Sequence, residues 1–345
     1  MSEPRVLIAG ASGYAGALAA HLVQRHPGLE LAKVTAHTEV GKEMSELYPE
    51  YDVEMTLEGL DVAGLEGIDA AIVGYPHGAS APVVAELRGL GIQTVDLSAD
   101  FRLKDIPTYE RWYGPHGDPD LLAGAVYGLP ELYRDQIKDA ELVANPGCYP
   151  TATILALAPL ASAGLIDDVV IDAKSGVSGA GRGKADELGP VVEGDDSMAY
   201  ATSGHRHQPE IVQELREQLK AAQRGGSPGQ LMDVPITFVP HLLPFHQGEL
   251  VSCYVRPMRS VELEDVVGLY EERYGDERFV ELVDSPPGVG DVRGTNLCRI
   301  HLALDAEARR VMVFAAIDNL WKGAASQAVQ NLNLMLGLPE EEGIS

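Results

Sequence analysis

The sequence predicts an α/β chain in two parts, an N-terminal doubly wound parallel sheet and then an α+β domain. Three observations carry this. Residues 5–25 run strand, glycine turn, helix. Short apolar strands then alternate with helical stretches as far as Ala144. Beyond Cys148 the pattern changes to runs of strands with a few helices between them. A length of 345 residues fits two domains, at about 150 residues each.

The elements follow in order. Arg5–Ala9 is a short aliphatic run, the signature of a parallel strand buried on both faces. Ala17–Arg25 has helical spacing and stops at His26-Pro27-Gly28. Leu29–Thr35, Ala70–Val73, Thr94–Leu97 and Glu141–Ala144 read as the second to fifth strands, with Ala79–Arg88 helical between them. In the second part, Thr151–Ala163, Ile211–Ala222 and Leu263–Tyr274 read as helices. Val169–Ala173, Pro235–Val239, Leu250–Val255, Cys298–Ala303 and Arg310–Ile317 read as strands. Gly179–Ser203 is rich in Gly, Asp and Ser and reads as a long functional loop. Arg224–Gly229 reads as a surface turn.

Composition excludes several classes. Hydrophobic residues are 45% and charged residues 23%, a globular mix. The chain carries 26 basic and 52 acidic residues, net −26, which argues against a nucleic-acid binder. No window reaches the ~18 uninterrupted apolar residues of a membrane span, and the start lacks the pattern of a signal peptide. A cytoplasmic protein is the expectation. Three scattered cysteines do not make a disulfide framework. With no CxxC or HExxH, no dedicated metal site is expected.

The first chemical signal is Gly10-x-x-Gly13-x-x-Gly16 between the first strand and the first helix. Glycines let the backbone turn tightly and approach a pyrophosphate, and the helix start offers free N–H groups. At the end of the second strand, where NAD binders place an acid for the ribose, stands Thr35-Ala36-His37-Thr38. No carboxylate comes before Glu39, which favours NADP, with His37, Thr38 and Lys42 as contacts.

The second signal is Asn145-Pro146-Gly147-Cys148-Tyr149-Pro150 ahead of the helix from Thr151. A cysteine there meets the positive end of the helix dipole, which favours the nucleophilic thiolate. Cys253 and Cys298 lie inside predicted strands and read as core residues. The third signal is Gly204-His205-Arg206-His207-Gln208-Pro209-Glu210. One histidine suits general acid/base work while the other supports it. Glu210 orients a histidine, binds substrate, or complements the helix dipole.

With those residues in view, the chain resembles the N-acetyl-γ-glutamyl-phosphate reductase family of arginine biosynthesis. The likeness rests on the glycine turn, on VANPGCYPTATILALAP around Cys148 and on GHRHQPEI. It extends to DLSADFRL (Asp96–Leu103), YGLPELYR (Tyr127–Arg134), SGVSGAGR (Ser175–Arg182), VRGTNLC (Val292–Cys298) and AIDNLWKGAASQAVQNLN (Ala316–Asn333). It implies a Rossmann domain over 1–147 and 318–345, with a returning C-terminal helix. It implies a catalytic and oligomerisation domain over 148–317, of the semialdehyde and glyceraldehyde-3-phosphate dehydrogenase type. The implied oligomer is a dimer or tetramer. The implied reaction takes an acyl phosphate and NADPH to N-acetylglutamate semialdehyde.

The resemblance also implies site residues. Cys148 matches the family nucleophile. Ser12, Gly13, Tyr14, Ala15 and Gly16, with Ala36, His37 and Thr38, match the cofactor turns, and Asn319 matches a site residue. Two stretches depart from the family pattern. Ala36-His37 replaces a common Ser-Arg pair, and Phe245-His246-Gln247-Gly248 lacks a basic residue before the glycine.

The expected chemistry follows. Cys148 attacks the acyl phosphate, a hydride reduces the thioester, and a histidine serves the alkoxide. His207 is favoured and His205 is the runner-up. Arg102 is the candidate phosphate clamp, and Ser178 and Arg182 are candidate substrate contacts. Two alternatives stay open: a reductase of carrier-bound aminoadipyl phosphate in lysine biosynthesis, and a non-catalytic NADP-binding sensor.

Overall fold

The computed structural model describes residues 3–184, 191, 195–223 and 235–344. The expected turn at 224–229 lies outside them, as do parts of the expected loop at 179–203. The chain divides into two compact units, residues 1–147 with 323–345 and residues 148–322.

The first unit is built on β1 (Arg5–Ala9), α1 (Tyr14–Gln24), β2 (Glu30–Thr35), α2 (Met44–Leu47), β3 (Ala70–Val73), α3 (Ser80–Gly89) and β4 (Gln93–Asp96). After them come α4 (Ile106–Tyr113), β5 (Ala125–Tyr127), α5 (Pro130–Lys138) and β6 (Leu142–Ala144). The sheet is parallel throughout, in the order β2-β1-β3-β4-β6-β5. All four residues of β3 are buried, as a strand covered on both faces requires. The strand order reverses at β1, and such a switch point opens a crevice at the carboxyl ends of β1 and β3.

Sequence reading missed β5. Three residues carry no period, and β5 exists because Val126 and Tyr127 pair in register with Val143 and Ala144. The strand expected at Glu141–Ala144 is therefore the sixth, and it spans Leu142–Ala144.

Asp96 and Asp100 brace the start of α3. Asp96 accepts from the Ser80 hydroxyl at 2.5 Å and the Ser98 hydroxyl at 2.6 Å. Asp100 accepts from the Gly78 and Ala81 amides and from the Tyr109 hydroxyl. Burial pushes the Asp96 carboxyl up to about 6, against the pull of its serine donors.

The second unit starts with α6 (Cys148–Ser162) and β7 (Ile166–Gly176). It continues with β8 (Met198–Ala199), α7 (Gln208–Gln223), β9 (Ile236–Leu243), β10 (Glu249–Pro257) and α8 (Leu263–Tyr274). It ends with β11 (Val280–Leu282), β12 (Cys298–Asp305) and β13 (Arg310–Ile317). Seven strands form one mixed sheet, β11-β12-β13-β10-β7-β9-β8.

Helix α6 is buried from Tyr149 to Ala161, packed on β10 and β13 and between α7 and α8. Pro159 inside it cannot donate to the Leu155 carbonyl. The Tyr274 hydroxyl does so instead, at 2.7 Å.

The returning segment supplies α9 (Ser326–Leu336) to the first unit. The return starts at Gly323 rather than at residue 318. The reason is local: Asp318 accepts from Gln247 and Gly294, and Asn319 bonds Ser178 and Gly248, all in the second unit. Within the first unit, Asn331 donates to the Gly128 carbonyl and to the Asn145 side chain, at 2.9 and 3.0 Å.

Candidate functional site

The glycine turn of the first unit joins β1 to α1. Gly10 has φ +94°, and a Cβ there would lie 2.7 Å from the Gly74 backbone. A Cβ on Gly16 would lie 2.3 Å from the Gly10 carbonyl oxygen. Both glycines are thus demanded by the fold itself. Gly13 is different, because the nearest atom to its added Cβ is 3.8 Å away. Gly13 is also the N-cap of α1, with no side-chain capping bond and no acid in the first turn. The helix start is therefore open to an anion. Ser12, Tyr14 and Ala15 surround it, all partly exposed, and the Ser12 carbonyl accepts from Tyr48. These residues fit a dinucleotide pyrophosphate.

At the end of β2 the expected contacts separate. Ala36 is buried, and its amide donates to the Glu58 carbonyl. His37 and Thr38 are exposed. Lys42 pairs with Glu39 at 2.5 Å, so its charge is partly answered within the chain. Arg102 is buried in this unit, where its guanidinium donates to the Asn145 and Leu97 carbonyls, each at 2.7 Å.

The second unit holds the cysteine. Helix α6 begins at Cys148 itself, three residues before the predicted start at Thr151. The thiol therefore stands on the first helical residue, partly exposed, where the helix dipole favours a thiolate. Cys253 and Cys298 are buried in β10 and β12, and burial pushes the Cys253 thiol up.

Tyr149 organises the residues beside Cys148. Its ring meets His205 and His207 edge-on, at 5.8 and 5.9 Å, and Phe238 at 5.5 Å. The two histidine rings meet at 4.9 Å. Helix α7 starts at Gln208, so both histidines precede it. The His207 amide donates to His205 Nδ1 at 3.1 Å, and the Tyr200 hydroxyl lies 3.5 Å from His205 Nε2. Burial, helped by Arg206, holds His205 down to about 4, so it is neutral at pH 7. Glu210 is buried in the first turn of α7.

At one end of the sheet, the close of β7, the turn before β10 and the close of β13 are tied together. Asn319 donates to the Ser178 hydroxyl at 2.9 Å and accepts from the Gly248 amide at 2.7 Å. The Ser178 amide donates to the His246 carbonyl. Asp318 accepts from Gln247 at 2.5 Å and from the Gly294 amide at 2.7 Å. Ser178 and Asn319 are both buried, and Arg182 is partly exposed just beyond.

Sequence reasoning missed Glu249. It is the first residue of β10, paired in register with Ser175 and Ile317. Its carboxyl is fully buried, and neither oxygen has a hydrogen-bond partner among the described residues. Burial, with the like charge of Asp318, pushes it up to about 8. A lone acid after a glycine has no spacing signal. Only strand pairing brings it to the cysteine. Tyr149 and Tyr200 were also missed as site residues. Among the described residues, no group of three or more His, Cys, Asp or Glu is arranged to hold a metal ion.

Comparison with known proteins decides the family. Residues 5–140 match the model of the semialdehyde dehydrogenase NAD binding domain, and residues 148–319 match the semialdehyde dehydrogenase dimerisation domain. The N-acetyl-gamma-glutamyl-phosphate reductase of Dehalococcoides mccartyi is 44% identical, over 100% of this chain and 98% of its own. The reductase of the same name from Pelotomaculum thermopropionicum is 45% identical, over 99% and 97%. The chain belongs to the N-acetyl-gamma-glutamyl-phosphate reductase family.

Solved structures agree on the fold of this reductase-family chain. Aspartate semialdehyde dehydrogenase II from Vibrio cholerae superposes with a TM-score of 0.72 at 18% identity, covering 98% of this chain and 99% of that one. The Candida albicans aspartate semialdehyde dehydrogenase with NADP gives 0.71 at 14% identity, covering 97% and 99%. The family's mixed α/β architecture, a Rossmann-type parallel sheet and a mixed catalytic sheet, is therefore that of this chain.

Proposed function

We propose that this chain reduces N-acetyl-γ-glutamyl phosphate with NADPH, releasing N-acetylglutamate 5-semialdehyde and phosphate in arginine biosynthesis, with Cys148 as nucleophile. It is an NADP-dependent oxidoreductase of the semialdehyde-forming type. The observation that carries the assignment of Cys148 is its place on the first residue of α6, partly exposed ahead of the buried run Tyr149–Ala161.

The residues divide the work. The Cys148 sulfur attacks the γ-acyl carbon, phosphate leaves, and a thioester forms. NADPH, when bound, supplies the hydride that reduces it. Gly13 and the start of α1 hold the pyrophosphate, and His37 and Thr38 are the exposed side chains at the ribose end. His207 gives a proton to the developing alkoxide and takes it back as the semialdehyde departs. His205, kept neutral by burial and bonded to the His207 amide, fixes the backbone from which His207 projects. Arg102, with its guanidinium on the Asn145 and Leu97 carbonyls, braces the backbone ahead of Cys148. Asn319 sets the Ser178 turn, from which Ser178 and Arg182 reach substrate, and Glu210 anchors the start of α7. We read the enzyme as a cytoplasmic homo-oligomer. The family model's description of residues 148–319 as a dimerisation domain supports the second part.

The test is the reverse reaction, phosphate-dependent reduction of NADP by N-acetylglutamate semialdehyde. Carrier-bound aminoadipate semialdehyde is run beside it. Turnover of the acetylated aldehyde alone is the expected result. Turnover of the carrier-bound aldehyde alone would move the enzyme to lysine biosynthesis. Cofactor binding with neither activity would make it a sensor.

A further inference from the structure

The connection from β2 to β3 folds back as an arm within the first unit. At its root the Ala36 amide donates to the Glu58 carbonyl at 2.9 Å, and the Glu58 amide to the Val34 carbonyl at 3.1 Å. Further out its two sides pair: Gly41 donates to Leu57, Leu57 to Lys42 and Met44 to Met55, all backbone to backbone. Its tip, residues 48–52, lies along α1. Tyr14 meets Tyr48 edge-on at 6.2 Å, Tyr48 stacks on Tyr51 at 5.8 Å, and Tyr51 stacks on His21 at 5.2 Å. Tyr14 and His21 are seven residues apart and share one face of α1, and the two arm rings fill the step between them. His21 Nδ1 donates to the Tyr51 carbonyl at 2.6 Å, and Gln24 to the Asp52 carbonyl at 2.8 Å.

The buried Tyr48 also reaches the glycine turn. Its hydroxyl donates to the Ser12 carbonyl at 2.8 Å and its ring meets that of Tyr14, so it holds both residues that flank Gly13. Gly13 is the loosest point of the turn. A Cβ there has 3.8 Å of clearance, and a glycine backbone has the most freedom to lose. Its conformation must therefore be held by neighbours. The Ser12–Gly13 peptide is held at both ends, its carbonyl by Tyr48 and its N–H by the Gly10 carbonyl at 3.3 Å. With that peptide fixed, the Gly13 carbonyl accepts from the Ala17 amide at 2.8 Å and α1 begins. The amides of that first turn are the ones an anion meets at a helix start.

We propose that Tyr48 is a positioning residue for NADPH: its hydroxyl keeps the Ser12–Gly13 peptide in the orientation that the cofactor pyrophosphate needs. The brace is in place before the cofactor arrives, so binding does not have to order the turn. The arm that carries Tyr48 at its tip carries Ala36, His37 and Thr38 at its root. One segment thus serves both the ribose end and the pyrophosphate turn. The proposal rests on reading the glycine turn as the pyrophosphate site, and Gly13→Ala tests that reading separately.

The experiment compares the full chain as wild type, Tyr48→Phe and Gly13→Ala. NADPH binding is read by fluorescence titration, and adenosine 2′-phosphate binding by its competition with NADPH. Tyr48→Phe keeps the ladder of rings and removes only the hydroxyl, so it should melt near wild type. It is expected to weaken NADPH about three- to tenfold, the ratio that the net worth of one hydrogen bond gives. Adenosine 2′-phosphate has no pyrophosphate and should bind the variant as it binds wild type. Equal weakening of both ligands overturns the proposal, because a disturbed arm would also disturb His37 and Thr38 at its root. Unchanged NADPH affinity in Tyr48→Phe, beside a weakened Gly13→Ala, overturns it too and leaves the pyrophosphate reading intact. If Gly13→Ala also binds NADPH as wild type does, the pyrophosphate reading itself fails and the role of Tyr48 falls with it.

Discussion

The His207 backbone N–H donates to His205 Nδ1 at 3.1 Å, and that bond separates the roles of two near-adjacent histidines. A ring nitrogen that accepts cannot hold a proton. Burial and Arg206 keep the whole His205 ring neutral at pH 7. His207→Asn should therefore lower kcat by about 10²- to 10⁴-fold, the range for loss of a general acid. His205→Asn should cost about tenfold or less, through misplacement of its neighbour. Steady-state kinetics on the two variants gives the ranking, and the reverse order would exchange the roles.

Cys148→Ala should bind NADPH with wild-type affinity and turn over nothing, because the cofactor turn and the thiol lie on different elements. Fluorescence titration and a turnover assay read the two halves. Substantial residual reductase activity would remove the thioester from the mechanism.

The three glycines of the first turn should not respond alike. Gly16→Ala drives a Cβ to 2.3 Å from a backbone oxygen and should lower Tm by several degrees or abolish folding. Gly13→Ala has 3.8 Å of clearance and should melt near wild type. It should still weaken NADPH by about tenfold or more, roughly 1.4 kcal/mol, because the methyl occupies the approach of the pyrophosphate. An unaltered Kd would place the phosphates elsewhere.

Asn319→Ala removes a buried donor and a buried acceptor at once, leaving the Gly248 amide unanswered. The cost should be about 1–3 kcal/mol of stability, together with loss of order in the turn that carries Ser178. Denaturant unfolding gives the first figure and a rise in KM reports the second. A neutral substitution would mean that water replaces both bonds.

Asp96 gives stability a pH dependence of defined sign. Its carboxyl is raised from 3.8 to about 6 in the fold, so the native state holds the proton more tightly than the unfolded chain. Stability from this group is greatest below pH ~4, falls as pH rises towards about 6, and is level above that. The span is on the order of 3 kcal/mol. Asp96→Asn should flatten the unfolding free energy between pH 4 and 6 relative to wild type. Equal slopes in the two proteins would show that Asp96 stays ionised in the fold.

Much of this was legible in the sequence because the signals are local. The strand, glycine turn and helix at residues 5–24 follow from an apolar run, a steric requirement at Gly10 and Gly16, and helical spacing. Arg310–Ile317 and Leu263–Tyr274 also fall where their periodicity puts them. Pro150 marks the start of α6 to within a turn, which was enough to put Cys148 near a helix dipole. The thiol's neighbours were a different matter. Glu249 lies 101 positions further along the chain, and it reaches Cys148 only because β10 packs under α6 and pairs with β7 and β13. The tautomer of His205 depends on an amide two residues away in a turn that no periodicity describes. The placement of Asp318 and Asn319 in the second unit rests on bonds to Gln247, Gly294, Ser178 and Gly248. Sequence by itself determined the elements and the chemical groups, through spacing and propensity. Tertiary structure alone decided which groups are buried together and which hold a turn, because burial and strand register are properties of the packed chain.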